Sequence, residues 1–246
     1  MKIAVLTDIH ANREAFEAVL ADADARGCER TVMLGDVVGY GPDPGWCADK
    51  AAALVAAGAV CLKGNHDQAA TGTAEPMNGM AQRAIDWTKA QLSDGQKAFL
   101  RALPLQAEAG EVLYVHASAD NPGAWNYVLS DRRAAPSFRA CAARIILCGH
   151  VHVPLLASCD ISGAVREQAF QVATPIPLIR SRRWLAVIGA VGQARDGVAQ
   201  AGYAVLDTAS NELSFRRVAY DMGPTVQKIR AAGLPEELAQ RLLRGR

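Results

Sequence analysis

Short apolar runs, each closed by a polar or glycine-containing turn, recur along the first two thirds of the chain. KIAVLTD (2–8), TVMLGD (31–36), AVCLK (59–63), EVLYVH (111–116) and ARIILC (143–148) read as buried strands. Between the first three the period changes to that of a helix. NREAFEAVLADADARG (12–27) places Phe16, Val19 and Leu20 at helical spacing, with Gly27 suited to the C-terminal cap. A turn-rich VGYGPDPG leads into the alanine-rich WCADKAAALVAAG, which Gly58 closes. The order βαβαβ predicts a parallel sheet with right-handed crossovers.

From Pro76 to Leu103 the pattern is helical: NGMAQRAIDWTKAQL (78–92) forms one helix, and a capping box of Ser93 and Gln96 starts another that Pro104 ends. Residues 118–140 are polar and aromatic and read as an irregular surface excursion, with a lid as the alternative. Beyond His152 the pattern turns to β. FQVAT, WLAVIG, GYAVLD and LSFRRVAY predict antiparallel strands in a second sheet. The final helical stretch, 225–246, is interrupted at Gly233 to Pro235, and no linker divides the chain, so residues 1–246 are expected to form one domain.

Composition narrows the classes. Half of the 246 residues are apolar, enough for a sizeable core, and 26 Lys and Arg balance 25 Asp and Glu. No global charge recruits nucleic acid, and no apolar run approaches the roughly 18 residues of a membrane span. The N-terminus lacks a signal-peptide pattern, so a cytoplasmic location is expected. The six cysteines show no CxxC pair and no zinc-type Cys/His spacing, and read as small buried hydrophobes. Cys148, immediately before GHVH, is the exception to watch.

The chemistry lies in the histidines. All five, His10, His66, His116, His150 and His152, follow one of the apolar runs, together with Asp8, Asp36, Asn65 and Asp67. In open α/β sheets such strand ends converge on one crevice, which makes these residues one candidate site. Imidazoles with carboxylates and an amide suit a divalent transition metal, Mn being the first expectation and Fe, Zn, Ni or Co alternatives. Asp8, His10, Asp36, Asn65, His116, His150 and His152 exceed the three ligands of a single catalytic ion, so two ions with a bridging carboxylate are expected. Such a pair clamps a phosphoryl group and acidifies a water to serve as nucleophile; with two carboxylates and a hydroxide, about one positive charge is left to attract an anion. His66, without a ligand task, is the expected general acid or transition-state stabiliser, tuned by Asp67. Arg195 in VGQARDG is a candidate for binding a phosphate oxygen, as is Asn65. Arg180, Arg182 and Arg183 read as a solvated turn, and Trp125 and Tyr127 as loop aromatics that could stack a nucleobase.

DIH, GDVVGYGPDP, GNHD, VHAS and GHVH together resemble the calcineurin-like metallophosphoesterase superfamily. The first two, with VGQARDG, look like its small bacterial and archaeal phosphodiesterase-like or diadenosine-tetraphosphatase-like branch. The resemblance runs from Lys2 to about Tyr220. It implies a four-layer αββα sandwich of two mixed sheets flanked by helices, with a dinuclear metal site at the strand ends. It further implies one metal on Asp8, His10, Asp36 and His152, and another on Asp36, Asn65, His116 and His150, with Asp36 bridging and His66 with Asp67 as the acid dyad. The chain departs from the branch's pattern at Ala11, Ala117 and Val151, and at Val187, Ile188, Ala190 and Ala194, none of which is a ligand. The expected function is metal-dependent phosphoester hydrolysis, diesters favoured, on a small phosphorylated substrate. Diadenosine tetraphosphate hydrolysis, phosphoprotein or phosphomonoester dephosphorylation, and a non-catalytic docking scaffold are the alternatives. Neither a membrane nor nucleic acid is an expected partner; oligomeric state stays open, a homo-oligomer included.

Overall fold

The computed structural model describes residues 1–72, 77 and 79–246. The first part of the chain runs β1 (Lys2–Leu6), α1 (Arg13–Ala25), β2 (Arg30–Met33), α2 (Pro44–Ala56), β3 (Val60–Cys61), α3 (Asn65–Thr71), α4 (Gly79–Gln91) and α5 (Asp94–Ala102). It continues through β4 (Gln106–Ala109), β5 (Val112–Val115), α6 (Asp131–Ala140), β6 (Ile145–Cys148), β7 (Leu155–Cys159), β8 (Val165–Glu167) and β9 (Ile176–Pro177). The last elements are β10 (Arg183–Val187), β11 (Ala201–Asp207), β12 (Glu212–Val218), α7 (Gly223–Ala231) and α8 (Glu236–Arg244).

Two six-stranded mixed sheets result, ordered β3-β2-β1-β11-β12-β9 and β4-β5-β6-β10-β7-β8. The predicted parallel βαβαβ is present, β1 pairing with β2 and β2 with β3. The sheets pack face to face through Val5, Leu34, Leu62, Tyr114, Leu147, Ala186 and Phe215, all buried. Strands covered on both faces need apolar side chains in both directions, which is why these runs do not alternate. Outside the first sheet, α1 buries Ala15, Phe16, Val19 and Ala23 on one stripe; full burial of a side chain such as Phe16 stabilises by about 1.5–3 kcal/mol. The Asn12 side chain accepts from Ala15 N at 3.1 Å and starts α1, and Gly27 at φ +70° ends it. Outside the second sheet, α6 buries Ala134 and Phe138. The layers are therefore helix, sheet, sheet, helix, with α7 and α8 packed on Tyr40 and α4.

Three expectations change. Residues 118–140 are not irregular throughout: Ser130 caps α6, whose buried Ala134, Ser137 and Phe138 recur at helical spacing despite Pro136. FQVAT is not a strand; Ala173 has φ +67° and Val172 is exposed, so the segment turns, with one backbone bond from Ala173 N to Phe215 O on β12. The C-terminal strands do not build a second sheet by themselves. β9, β11 and β12 extend the first sheet and β7, β8 and β10 the second, because β11 pairs with β1 and β10 with β6. The helix expected from Asn78 is present as α4, while Pro76 and Asn78 lie outside the described residues. The capping box at Ser93 and Gln96 is formed. Among the described residues, no helix is long and apolar enough to cross a membrane.

Candidate metal centre

β1, β2, β5 and β6 end beside one another, and the loops that leave them are stitched together by backbone hydrogen bonds. His10 N donates to Asp36 O at 2.9 Å, Asp8 N to Gly35 O at 3.0 Å, and Gly149 N to His116 O at 2.8 Å. Asp8, His10, Asp36, His150 and His152 all adopt left-handed backbone conformations, φ between 50° and 68°. Each such residue costs on the order of 1–3 kcal/mol, and their clustering at one place marks a site held against local preference. Close backbone approach is enforced at Gly64 and Gly149, where a Cβ would collide with the Asp36 carboxylate and the Thr7 side chain respectively.

The metal-capable donors converge in three overlapping groups: Asp8, His10 and His152; His10, Asp36 and His66; and Asp36, His116 and His150, each with its donor atoms within 4.8 Å of one another. Asp36 lies between the groups: its Oδ2 is 3.6 Å from His10 Nε2 and 3.4 Å from His116 Nε2. Asn65 Oδ1 is 3.2 Å from His116 Nε2.

Hydrogen bonds on the far side of each imidazole decide what the near side offers. Nδ1 of His10, His116 and His152 faces the carbonyls of Val38, Leu34 and Gln193 at 3.3, 3.1 and 2.6 Å. A carbonyl only accepts, so Nδ1 carries a proton in each ring, and Nε2 is the atom left to face a metal, with a lone pair when the ring is neutral. His10 Nε2 and His152 Nε2 then meet at 3.0 Å, two acceptors facing each other, with Asp8 Oδ1 3.8 and 3.3 Å away. Asp8 Oδ1 is itself buried without a hydrogen-bond partner. The other oxygens of the two carboxylates are fixed from behind: Asp8 Oδ2 accepts from Thr7 Oγ1 and His150 N, both at 2.9 Å, and Asp36 Oδ1 from His66 N at 2.8 Å. Bare acceptors converging in a buried space require a cation, so the residues present fit divalent metals.

Electrostatics agree. Burial opposes charge on Asp8 and Asp36, but the facing His152 and His116 overcome it and hold both carboxyls below their usual range. Burial also opposes a proton on His116, yet Asp36 beside it raises the pKa to about 9, so in the free protein its Nε2 holds a proton that a metal would displace. Burial alone dominates at His66 and His150, each pushed down to about 4.

The remaining expected residues are placed as follows. His66, at the start of α3, turns its ring edge to His10 at 4.8 Å and packs on Tyr40 at 4.3 Å, and its Nδ1 is buried without a partner. Its ring lines an open cavity of about 180 Å³ together with Asp36, Asn65, His150, His152 and Arg195. The expected side-chain pairing of Asp67 with His66 is not made. Asp67 instead accepts from Val38 N at 3.1 Å and Gly64 N at 2.9 Å, tying the start of α3 to the loop after β2. Arg195 donates to Gln193 Oε1 at 3.1 Å and lies 5.6 Å over the Tyr40 ring, without a carboxylate partner among the described residues. Arg183 is used structurally, donating to the carbonyls of Phe138, Cys141 and Ala143, while Arg180 pairs with Glu111. Cys148 is fully buried and burial pushes its thiol pKa up, which removes it as a reactive group. Tyr40, in contact with both His10 and His66, is a site residue that sequence reasoning missed; only its place in the glycine-flanked turn GYG singled it out. Tyr127 stacks on His150 at 4.2 Å and Trp125 stands edge-on to His116 at 5.7 Å, so part of the 118–140 excursion covers the donors.

Comparison with known proteins agrees with this geometry. Residues 1–211 match the calcineurin-like phosphoesterase superfamily domain. A metallophosphoesterase from Sphaerobacter thermophilus superposes with a TM-score of 0.87 at 35% identity, covering 100% of both chains. An uncharacterized protein of Methanocaldococcus jannaschii is 34% identical over 99% of this chain and 98% of its own length. A hypothetical protein of Pyrococcus horikoshii, 20% identical, shares the fold with a TM-score of 0.77 over 100% of this chain and 98% of its own. The chain belongs to the calcineurin-like phosphoesterase superfamily. It is a phosphoric ester hydrolase with a metal-capable His/Asp cluster at the ends of its strands.

Proposed function

We propose that the protein hydrolyses phosphodiesters at a dinuclear site, with Mn the first candidate metal. Asp8, His10, Asp36 and His152 would hold one ion and Asp36, Asn65, His116 and His150 the other. The observation that carries this reading is the position of Asp36 Oδ2, within 3.6 Å of the Nε2 atoms of both His10 and His116. Two divalent ions there would supply Lewis-acid polarisation of the phosphoryl oxygens and acidify a water enough to attack phosphorus near neutral pH.

This chain's side chains supply the rest. Arg195, charged and without a carboxylate partner, reaches into the cavity and orients the phosphoryl oxygens. His66, which burial keeps neutral in the free protein, donates a hydrogen bond and then its proton to the leaving oxygen; the arriving anionic phosphoryl group supplies the countercharge that favours its protonated form. Asp67 acts through the backbone, as a clamp that fixes the first turn of α3 and with it Asn65 and His66. A site left with about one positive charge suits the single charge of a diester better than the double charge of a monoester.

The test compares bis(4-nitrophenyl) phosphate with 4-nitrophenyl phosphate on Mn²⁺-loaded protein. The expected result is a kcat/KM at least about tenfold higher for the diester. A preference for the monoester would overturn the diester assignment, and absence of turnover on both would overturn the phosphoesterase reading at this site.

A further inference from the structure

Beside the donor cavity lies a second chamber of about 490 Å³, within the roughly 300–1,000 Å³ of small-molecule pockets. Asn65, Met77, Tyr127 and His150 line both, so the second chamber adjoins the cavity that holds the metal-capable residues. The chambers differ in chemistry. The first holds carboxylate, imidazole and guanidinium groups, whereas no Asp, Glu, Lys or Arg lines the second among the described residues.

Three flat rings, Trp125, Tyr127 and His150, stand in the second chamber's wall, with Met77 beside them. Tyr127 lies nearly parallel to His150, with 14° between the rings, and keeps half of its surface exposed. Trp125 has φ +56°, a left-handed conformation that is costly for a large side chain and aims the indole at His116 and the chamber. The segment that carries both is anchored: Ala119 N donates to Ser137 Oγ at 3.0 Å, and Ser118 Oγ lies 2.8 Å from the same oxygen, tying the loop to α6. Gln68, one turn after Asn65 on α3, also lines the chamber and offers an amide to the edge of a ring.

We propose that this chamber binds a flat aromatic or heteroaromatic group esterified to the substrate's phosphate, with Trp125 and Tyr127 as specificity-determining walls. The proposal rests on the phosphoesterase reading for where the phosphate sits. The substrate then divides along the cavity: the anion lies against Arg195 and the metal-capable cluster, and the uncharged ring stacks beyond His150. A ring stacked on one aromatic side chain gains enough to change affinity by about tenfold or more.

The test is a binding measurement, which separates it from the fate of the catalytic reading. Mn²⁺-loaded protein is titrated calorimetrically with phenylphosphonate and with methylphosphonate, neither of which carries a hydrolysable ester. The wild type is expected to bind the phenyl compound about tenfold more tightly. In Tyr127→Ala and Trp125→Ala the ratio of phenylphosphonate to methylphosphonate affinity, measured on each variant at matched metal content, falls to about threefold or less; Tyr127→Phe retains it. Phosphonate analogues of a nucleotide and of phosphotyrosine form a second arm, and tighter binding than methylphosphonate by either, lost in Tyr127→Ala, identifies which ring the chamber takes. Equal affinity for phenylphosphonate and methylphosphonate in the wild type, or an advantage that both alanine variants retain, overturns the proposal.

Discussion

At the scale of single residues, the account assigns different tasks to neighbours in the chain. Asp36 touches both halves of the donor cluster, so Asp36→Asn removes a charge and an acceptor from each. Turnover should fall by more than the roughly 10–100-fold typical of residues that only orient ligands, and metal content measured by mass spectrometry should fall with it. His66→Ala should lower kcat by about 10²–10⁴-fold at unchanged metal content; loss of metal would instead make His66 a ligand. The donors were legible because each ends an apolar run, so strand pairing alone carries it to the crevice. The His66 and Asp67 partnership was not. Neighbours at the start of a helix point in different directions, and the Asp67 carboxylate found the unpaired N–H groups of Gly64 and Val38 instead. Tyr40 was equally hidden, since nothing in a turn sequence says which way its aromatic ring will fold.

At the scale of elements, the site depends on loops that approach more closely than side chains allow. Gly64→Ala drives a methyl into the Asp36 carboxylate and Gly149→Ala drives one into Thr7. Each should cost about 1–3 kcal/mol of unfolding free energy in a urea titration and weaken metal binding, whereas Gly58→Ala, with open space around it but a φ of +99°, should cost stability without changing metal affinity. The strands and helices of the first third were readable because local period and burial agree there. The helix α6 was obscured by its polar face and by Pro136, which weaken the apolar stripe that would have identified it. FQVAT erred the other way, since an apolar, β-prone composition sits in a segment that turns.

For the whole molecule, the family resemblance implied two mixed sheets, and the structure has them, but local pattern did not say which strand joins which. Which sheet a C-terminal strand joins is decided by nonlocal pairing, β11 against β1 and β10 against β6, and nothing local distinguishes the two. The C-terminal helices are tied back in the same nonlocal way. Lys228 Nζ meets Glu14 Oε1 at 2.7 Å and also pairs with Asp43, joining α7 to α1 and to the turn before α2. Burial opposes charge on Glu14, but its bonds to Lys228 and Thr225 win and hold its pKa below 4.5. A carboxyl lowered on folding stabilises above its unfolded pKa and loses that contribution as pH falls through the folded value. Lys228→Met should therefore lower the Tm at neutral pH, and the gap to wild type should narrow as pH drops below about 4.5 in scanning calorimetry. A gap that stays constant down to pH 3 would show that the lysine acts through packing alone.

The proposed dinuclear site requires two metal ions to share Asp36. Chelator-stripped protein titrated with Mn²⁺, followed by calorimetry and by bis(4-nitrophenyl) phosphate hydrolysis in parallel, tests it directly. The expected result is two ions bound per chain, turnover that rises with filling of the second, and loss of both in Asp36→Asn. Full turnover at one ion per chain, or an Asp36→Asn variant that keeps both metals and activity, would contradict it.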